Sequence, residues 1–158
     1  MRTRYRLRSS GCGRRLAAWL RRWLEPFWAE KALVAYVLDG DSIRLADGRE
    51  VRYLGLDAPE RYGPDGRPMP WAEAARAANA RLVEGQYVRL VRGEGEPDRD
   101  VYGRLLRHVY RGRLWVNGRL VAMGLARVRQ GEGADPRLAH LQRLEAEARR
   151  RMGGLGGG

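Results

Sequence analysis

Cysteine occurs once in this chain, at Cys12, so no disulfide can close within it and the redox compartment is not revealed. Histidine occurs twice, at His108 and His140, far apart in sequence. With a single cysteine beside them, a zinc site is not expected. Lysine is almost missing. Lys31 is the sole one, and arginine supplies the other 30 of the 31 cationic side chains. No run of eighteen apolar residues occurs, so no conventional transmembrane helix is expected.

What is present is positive charge. The 158 residues carry a formal net charge of +12 and a sequence pI near 11.0. That length suits one domain with a core large enough to fold without disulfides. Arginine stays charged at any working pH, and its planar fork matches phosphate in a bidentate way. A polyanion is therefore the natural partner, either nucleic acid or an anionic membrane surface. GC-rich coding accounts for arginine in place of lysine. It does not account for the surplus of cations over 19 acids.

Three parts are expected along the chain: a basic extension over residues 1–30, a folded domain over 31–152 and a flexible glycine-rich tail over 153–158. Residues 1–13 are arginine-rich with Ser and Gly, and disorder is expected there. Leu16, Trp19, Leu20, Trp23, Leu24 and Phe27 fall at helical spacing with arginines between them, and Pro26 disrupts the pattern. This amphipathic helix over 14–28 suits either peripheral membrane contact or packing on the domain. A signal peptide fits less well, because Arg21-Arg22 cuts the apolar run.

From Lys31 the pattern is β. Strands are expected at Ala32–Leu38, Ser42–Leu45 and Glu50–Leu56, with turns at Asp39-Gly40 and Asp47-Gly48. Residues 61–70 are a Gly/Pro loop. A helix follows at Trp71–Val83, then strands at Tyr87–Val91 and Leu105–Tyr110 and helices at Val116–Met123 and Arg137–Met152. The expected fold is α+β and mainly β: a five-stranded OB-fold barrel with three helices, plus the N-terminal amphipathic extension.

The chemistry concentrates around Asp39-Gly40-Asp41 and Asp57-Ala58-Pro59-Glu60. A two-residue turn at Asp47-Gly48 would set Ile43 opposite Arg52 and Asp41 opposite Leu54, placing Asp41 and Arg52 on one face. Strict alternation would put Asp57 on the other face. A bulge at Gly55, or departure from the strand at Leu56, would bring it back. Asp41, Asp57 and nearby carbonyls form an all-oxygen donor set, which suits calcium or magnesium. Glu60 is a candidate general base, and Arg52 and Arg104 are candidates to neutralise charge on phosphorus. Taken singly, each of these residues is more often a turn, a cap or a surface charge. Their joint order and spacing carry the case.

That joint pattern resembles the staphylococcal nuclease, or thermonuclease, family. The segments are Val37-Leu38-Asp39-Gly40-Asp41-Ser42, Arg52 through Asp57-Ala58-Pro59-Glu60, Asp100-Val101-Tyr102-Gly103-Arg104, and Val116-Asn117 with Gly124-Leu125-Ala126. They span about residues 31–150 in the family's order. The resemblance implies an OB-fold barrel with three helices and calcium-dependent cleavage of DNA and RNA by attack of water on phosphorus. It implies Asp41, Asp57 and the Ala58 carbonyl as Ca2+ ligands, Glu60 as the residue that positions the attacking water, and Arg52 and Arg104 as phosphate-binding residues. Tyr102 corresponds to a tyrosine of the substrate pocket. One departure stands out: Arg129-Gln130-Gly131-Glu132 has no aromatic where the family places nucleotide-contacting tyrosines. Weaker nucleotide binding is expected, offset partly by arginine.

A monomer is expected. The compartment is open, with secreted, periplasmic or membrane-associated placement favoured over cytoplasmic. The alternative function is a non-catalytic nucleic-acid-binding OB-fold module. The acids argue against it, since carboxylates repel phosphate unless a cation lies between them.

Overall fold

The structure is a computed structural model that describes residues 29–59, 62–67, 69–129 and 135–153. The expected helix over 14–28, the N-terminal residues before it, Glu60 and the tail from residue 154 lie outside the described residues.

Among the described residues eleven elements follow in order: β1 (Glu30–Asp39), β2 (Ser42–Leu45), β3 (Glu50–Tyr53), β4 (Leu56–Asp57), α1 (Pro70–Val83), β5 (Tyr87–Val91), β6 (Leu105–Arg111), β7 (Leu114–Trp115), α2 (Val116–Ala122), β8 (Arg127–Val128) and α3 (Pro136–Gly153). Strand β1 is the hinge of the barrel. Its first half, Glu30–Leu33, pairs with β5, and its second half, Val34–Asp39, pairs with β2. Two register shifts, between Val34 and Tyr36 and between Val37 and Asp39, interrupt the second half. Such irregularities bend a strand and increase its twist, so one strand can serve two sides of a curved sheet. The order β3-β2-β1-β5-β6 closes through a parallel pairing of β3 with β6. The result is a closed five-stranded barrel with three helices, as the fold reading expects.

Alternation fills the interior. Val34, Val37, Ile43, Leu45, Val51, Tyr53, Val88, Leu90, Leu105 and Val109 are all buried. Helix α1 begins on Pro70, whose missing N–H costs nothing at the first turn. Its buried Ala72, Ala75 and Ala78 let it approach the barrel closely. Helix α3 buries Leu138, Leu141 and Ala148 and packs against α2.

Three expectations about the strands need correction. The Asp47-Gly48 turn has three residues, not two: the Leu45 N–H donates to Arg49 C=O at 2.8 Å, and Gly48 takes φ +89°. A three-residue hairpin with glycine in the left-handed position shares its Asp-Gly signature with the two-residue kind. The ladder therefore slips by one, with Ser42 opposite Arg52 and Ile43 opposite Val51. The expected third strand also divides. Leu54-Gly55 form a turn with Gly55 at φ +75°, and Leu56–Asp57 leave to pair with Arg127–Val128. A residue added at Gly55 would also drive its Cβ to 2.6 Å from Leu138 of α3.

Candidate active site

The site begins at the turn between β1 and β2. Asp41 sits in that turn, only 1% exposed, and its C=O accepts the Tyr53 N–H at 2.8 Å. Its carboxylate is fully engaged. Oδ1 pairs with the Arg52 guanidinium and accepts the Ser42 hydroxyl at 3.1 Å. Oδ2 accepts the Ala58 N–H at 2.5 Å. By strict pleating, the slipped register would send Asp41 and Arg52 to opposite faces. They meet because Asp41 precedes β2, where alternation no longer governs the side chain.

Arg52 is the centre of the cluster. Its Nη1 reaches Asp41, while its Nη2 reaches Asp57 Oδ1 at 2.8 Å and Leu56 C=O at 3.3 Å. Asp57 itself stands in solvent, its side chain 67% exposed. The turn at Leu54-Gly55 is what returns it to Arg52. Leu56, buried, pins the short β4 strand that carries it. Burial pushes the Arg52 guanidinium down from its ordinary value; the charge on Asp57 opposes this, and that on Arg104 adds to it. The group remains charged, as arginine does throughout the working range.

Arg104 comes from a different part of the barrel, the loop before β6. Asp100 positions it. The Asp100 Oδ1 accepts the backbone N–H groups of Tyr102 and Arg104, each at 3.0 Å, and its Oδ2 accepts Arg104 Nε at 2.8 Å. Gly103 supplies the left-handed residue of the turn. Burial pushes the Asp100 carboxyl up, but these hydrogen bonds and the Arg104 charge hold it below the usual carboxylate range. The Arg104 guanidinium lies 5.4 Å from the centre of the Tyr102 ring. Tyr102 is 81% exposed, so it is a surface side chain and not a core one.

Asp41, Arg52, Asp57, Ala58, Tyr102 and Arg104 thus line one cleft of about 600 Å³, together with Ser42, Pro59 and Tyr62. A second cleft shares Arg52, Tyr102 and Arg104 and continues past Arg99 and Arg129. Sequence reasoning quoted Asp100 in a motif without giving it a role, and did not name Tyr62. Asp100 had a legible signal, since Asp at the start of a D-x-x-G turn commonly binds backbone N–H groups two residues on. Tyr62 had none, lying in an irregular loop.

The donors are of the chemical type that a hard cation takes. Arg52 already places positive charge between two carboxylates, one of them buried. Every donor is oxygen, which suits a hard divalent ion. Among the described residues no group of three or more His, Cys, Asp or Glu side chains gathers to hold a metal. The protein side would therefore be two carboxylates and a carbonyl, with water completing the shell.

A closed OB barrel that brings two carboxylates and two arginines into one cleft defines the class. The sequence profile described as staphylococcal nuclease homologue matches residues 50–155, and the chain belongs to that family. It is 34% identical over 126 residues to a thermonuclease of Staphylococcus intermedius, covering 78% of this chain and 74% of that protein. It is 36% identical over 99 residues to a thermonuclease of Staphylococcus hyicus, covering 61% and 57%. It is 39% identical over 94 residues to endonuclease YncB of Bacillus subtilis strain 168, covering 58% and 44%.

Proposed function

We propose that this protein is a calcium-dependent nuclease that hydrolyses the phosphodiester bonds of DNA and RNA by attack of water on phosphorus. The observation that carries the reading is the pairing of Asp41 and Asp57 on one guanidinium, in the cleft that Arg104 also lines. Asp41, Asp57 and the Ala58 carbonyl would hold Ca2+, which when bound polarises a phosphate oxygen and offsets its charge. Arg52 and Arg104 bind the scissile phosphate and neutralise the charge that builds on it in the five-coordinate transition state. Glu60 orients the attacking water and takes its proton as the new P–O bond forms and the bond to the leaving oxygen breaks. Tyr102 flanks the substrate beside Arg104.

The test is cleavage of plasmid and of RNA with calcium, then with a chelator. Degradation is expected to require calcium and to fall by roughly two to three decades in Glu60→Gln and in Arg104→Ala, the usual loss when one transition-state contact is removed. Cleavage that survives chelation would remove calcium from the mechanism. Binding without cleavage in every divalent metal would leave a non-catalytic binding module.

A further inference from the structure

A second basic surface lies on the outside of the barrel and shares no residue with the cleft. Strand pairing builds it. Lys31 of β1 lies opposite Arg89 of β5, Arg89 opposite Tyr110 of β6, and Tyr110 opposite Trp115 of β7. Directly paired residues share a face, so these four form a row across the sheet. Their neighbours Ala32, Val88, Leu90 and Val109 are buried, which turns Lys31, Arg89 and Tyr110 outward, while Trp115 packs on the core against His108 and His140. Tyr87, two residues before Arg89, joins it and is 60% exposed.

Each cation of the row lies over a ring. Lys31 Nζ lies 4.8 Å from the centre of the Tyr87 ring, and the Arg89 guanidinium 4.9 Å from that of Tyr110. With Arg113 they border a concavity of about 540 Å³ that no carboxylate of the described residues lines. Among the described residues, Lys31, Arg89 and Arg113 make no ion pair, whereas Arg44, Arg49, Arg52, Arg76 and Arg104 each do. Three cations without an ion pair around the exposed Tyr87 ring attract an anion that also has flat faces. Ala29 borders the same concavity, and the 28 residues before it in sequence hold eight arginines against one glutamate.

We propose that this face is a second binding site for single-stranded nucleic acid, with phosphates on Lys31, Arg89 and Arg113 and a base stacked on Tyr87. An unstacked strand presents both chemistries at once, and basic grooves with aromatic platforms bind it without sequence preference. A membrane surface suits the patch less well, because interfacial anchoring draws on exposed Trp, Phe or Leu, and the exposed ring here is a tyrosine. The site would retain a long strand while the cleft cuts it. It rests on nucleic acid being the substrate.

The test is binding of fluorescent dT40 and dT5 to the full chain in chelator, so that no cleavage occurs, across a salt series. The parent's calcium-dependent cleavage of single-stranded DNA is measured alongside. Lys31→Gln/Arg89→Gln/Arg113→Gln is expected to lose at least tenfold in dT40 affinity, and its salt slope to become shallower by about 2, the value for three phosphate contacts on a single strand. Tyr87→Ala, an exposed single change, is expected to lose about tenfold with the slope kept. Affinity for dT5 should change less than twofold in both. A parent that cleaves, with variants that bind dT40 as the parent does, overturns the second site alone. A parent that neither binds nor cleaves overturns the nuclease reading and this inference together. Variants that keep dT40 but lose binding to phosphatidylserine vesicles also overturn it, and assign the face to membranes.

Discussion

Gly40 stands between the two acids of its turn, and its backbone φ is not in the left-handed region that would demand glycine. The need is space. A Cβ at that position would lie 2.7 Å from the Cβ of Ala58 and 2.7 Å from that of Ala75 on α1. Both neighbours are short, rigid side chains, so the turn itself would have to move. Asp41 and Ala58, which share a hydrogen bond, would move with it. Gly40→Ala is expected to destabilise by about 1–3 kcal/mol, as overpacking does, and to lower cleavage as well. Urea unfolding and initial rates check this, and Ala75→Gly added to it should recover part of both losses. Stability equal to the parent's would show that the turn yields freely. The Asp-Gly-Asp spacing and the arginines were legible as residues because their order along the chain carries the signal. The steric role of Gly40 was not, because Ala58 and Ala75 lie 18 and 35 positions away and act only through contact.

Helix α2 shows how an element can secure the barrel from outside the ladder. Asn117, fully buried in its first turn, accepts the Val109 N–H of β6 at 2.8 Å and donates to Leu54 C=O at 3.0 Å. Leu54 begins the turn that returns Asp57 to Arg52, so this one amide links β6, α2 and the site. One residue before Leu54 in the chain, the Tyr53 hydroxyl donates to Asn79 of α1 at 2.8 Å, and Asn79 donates to Asp39 C=O at 3.0 Å, holding the Asp39–Asp41 turn. Asn117→Ala is expected to cost roughly 1–3 kcal/mol for each backbone group left unpaired. Chemical denaturation measures the loss, and faster hydrogen exchange at the Val109 amide locates it. A loss under about 0.5 kcal/mol would mean that water replaces the amide. Element positions were read well, since helical and alternating periodicities are local. The short strands β4, β7 and β8 were missed, since two residues carry no period.

At the scale of the whole molecule, one source of acid sensitivity is a buried pair that ties β6 to α3. His108 Nε2 and Asp135 Oδ2 are 3.1 Å apart, and both side chains are wholly buried. Asp135 also accepts the Arg137 N–H at 2.8 Å and the Glu94 N–H at 3.0 Å, which starts α3 and pins the loop after β5. Burial pushes His108 below its ordinary value, despite the pull of Asp135, so the ring is neutral and donates. Burial pushes Asp135 up, but the hydrogen bonds from His108 and the backbone hold it down to about 2. The signs follow from linkage. As pH falls below about 6.5, the unfolded chain takes up a proton at His108 that the folded chain refuses, and stability drops. Below about 4 the Asp135 contribution is lost in turn as pH approaches 2. The melting temperature is expected to fall from pH 7 to pH 4.5, with a shallower decline in His108→Gln. A flat profile in the parent over that range would count against the pair.

Linear order by itself determined the class of fold, the placing of three helices and five barrel strands, and the residue types able to bind a cation and a phosphate. These depend on local periodicity and on motifs that lie within a few residues of each other. Tertiary structure alone decided that the hairpin slips by one, that Asp41 escapes the pleat and that Asp57 returns through the Leu54-Gly55 turn to share Arg52. It also decided that Lys31, Arg89 and Tyr110, distant from one another in sequence, stand side by side. The physical reason is common to all of them. Closing a sheet into a barrel sets neighbours by hydrogen-bond register, and register is settled by packing across the whole core.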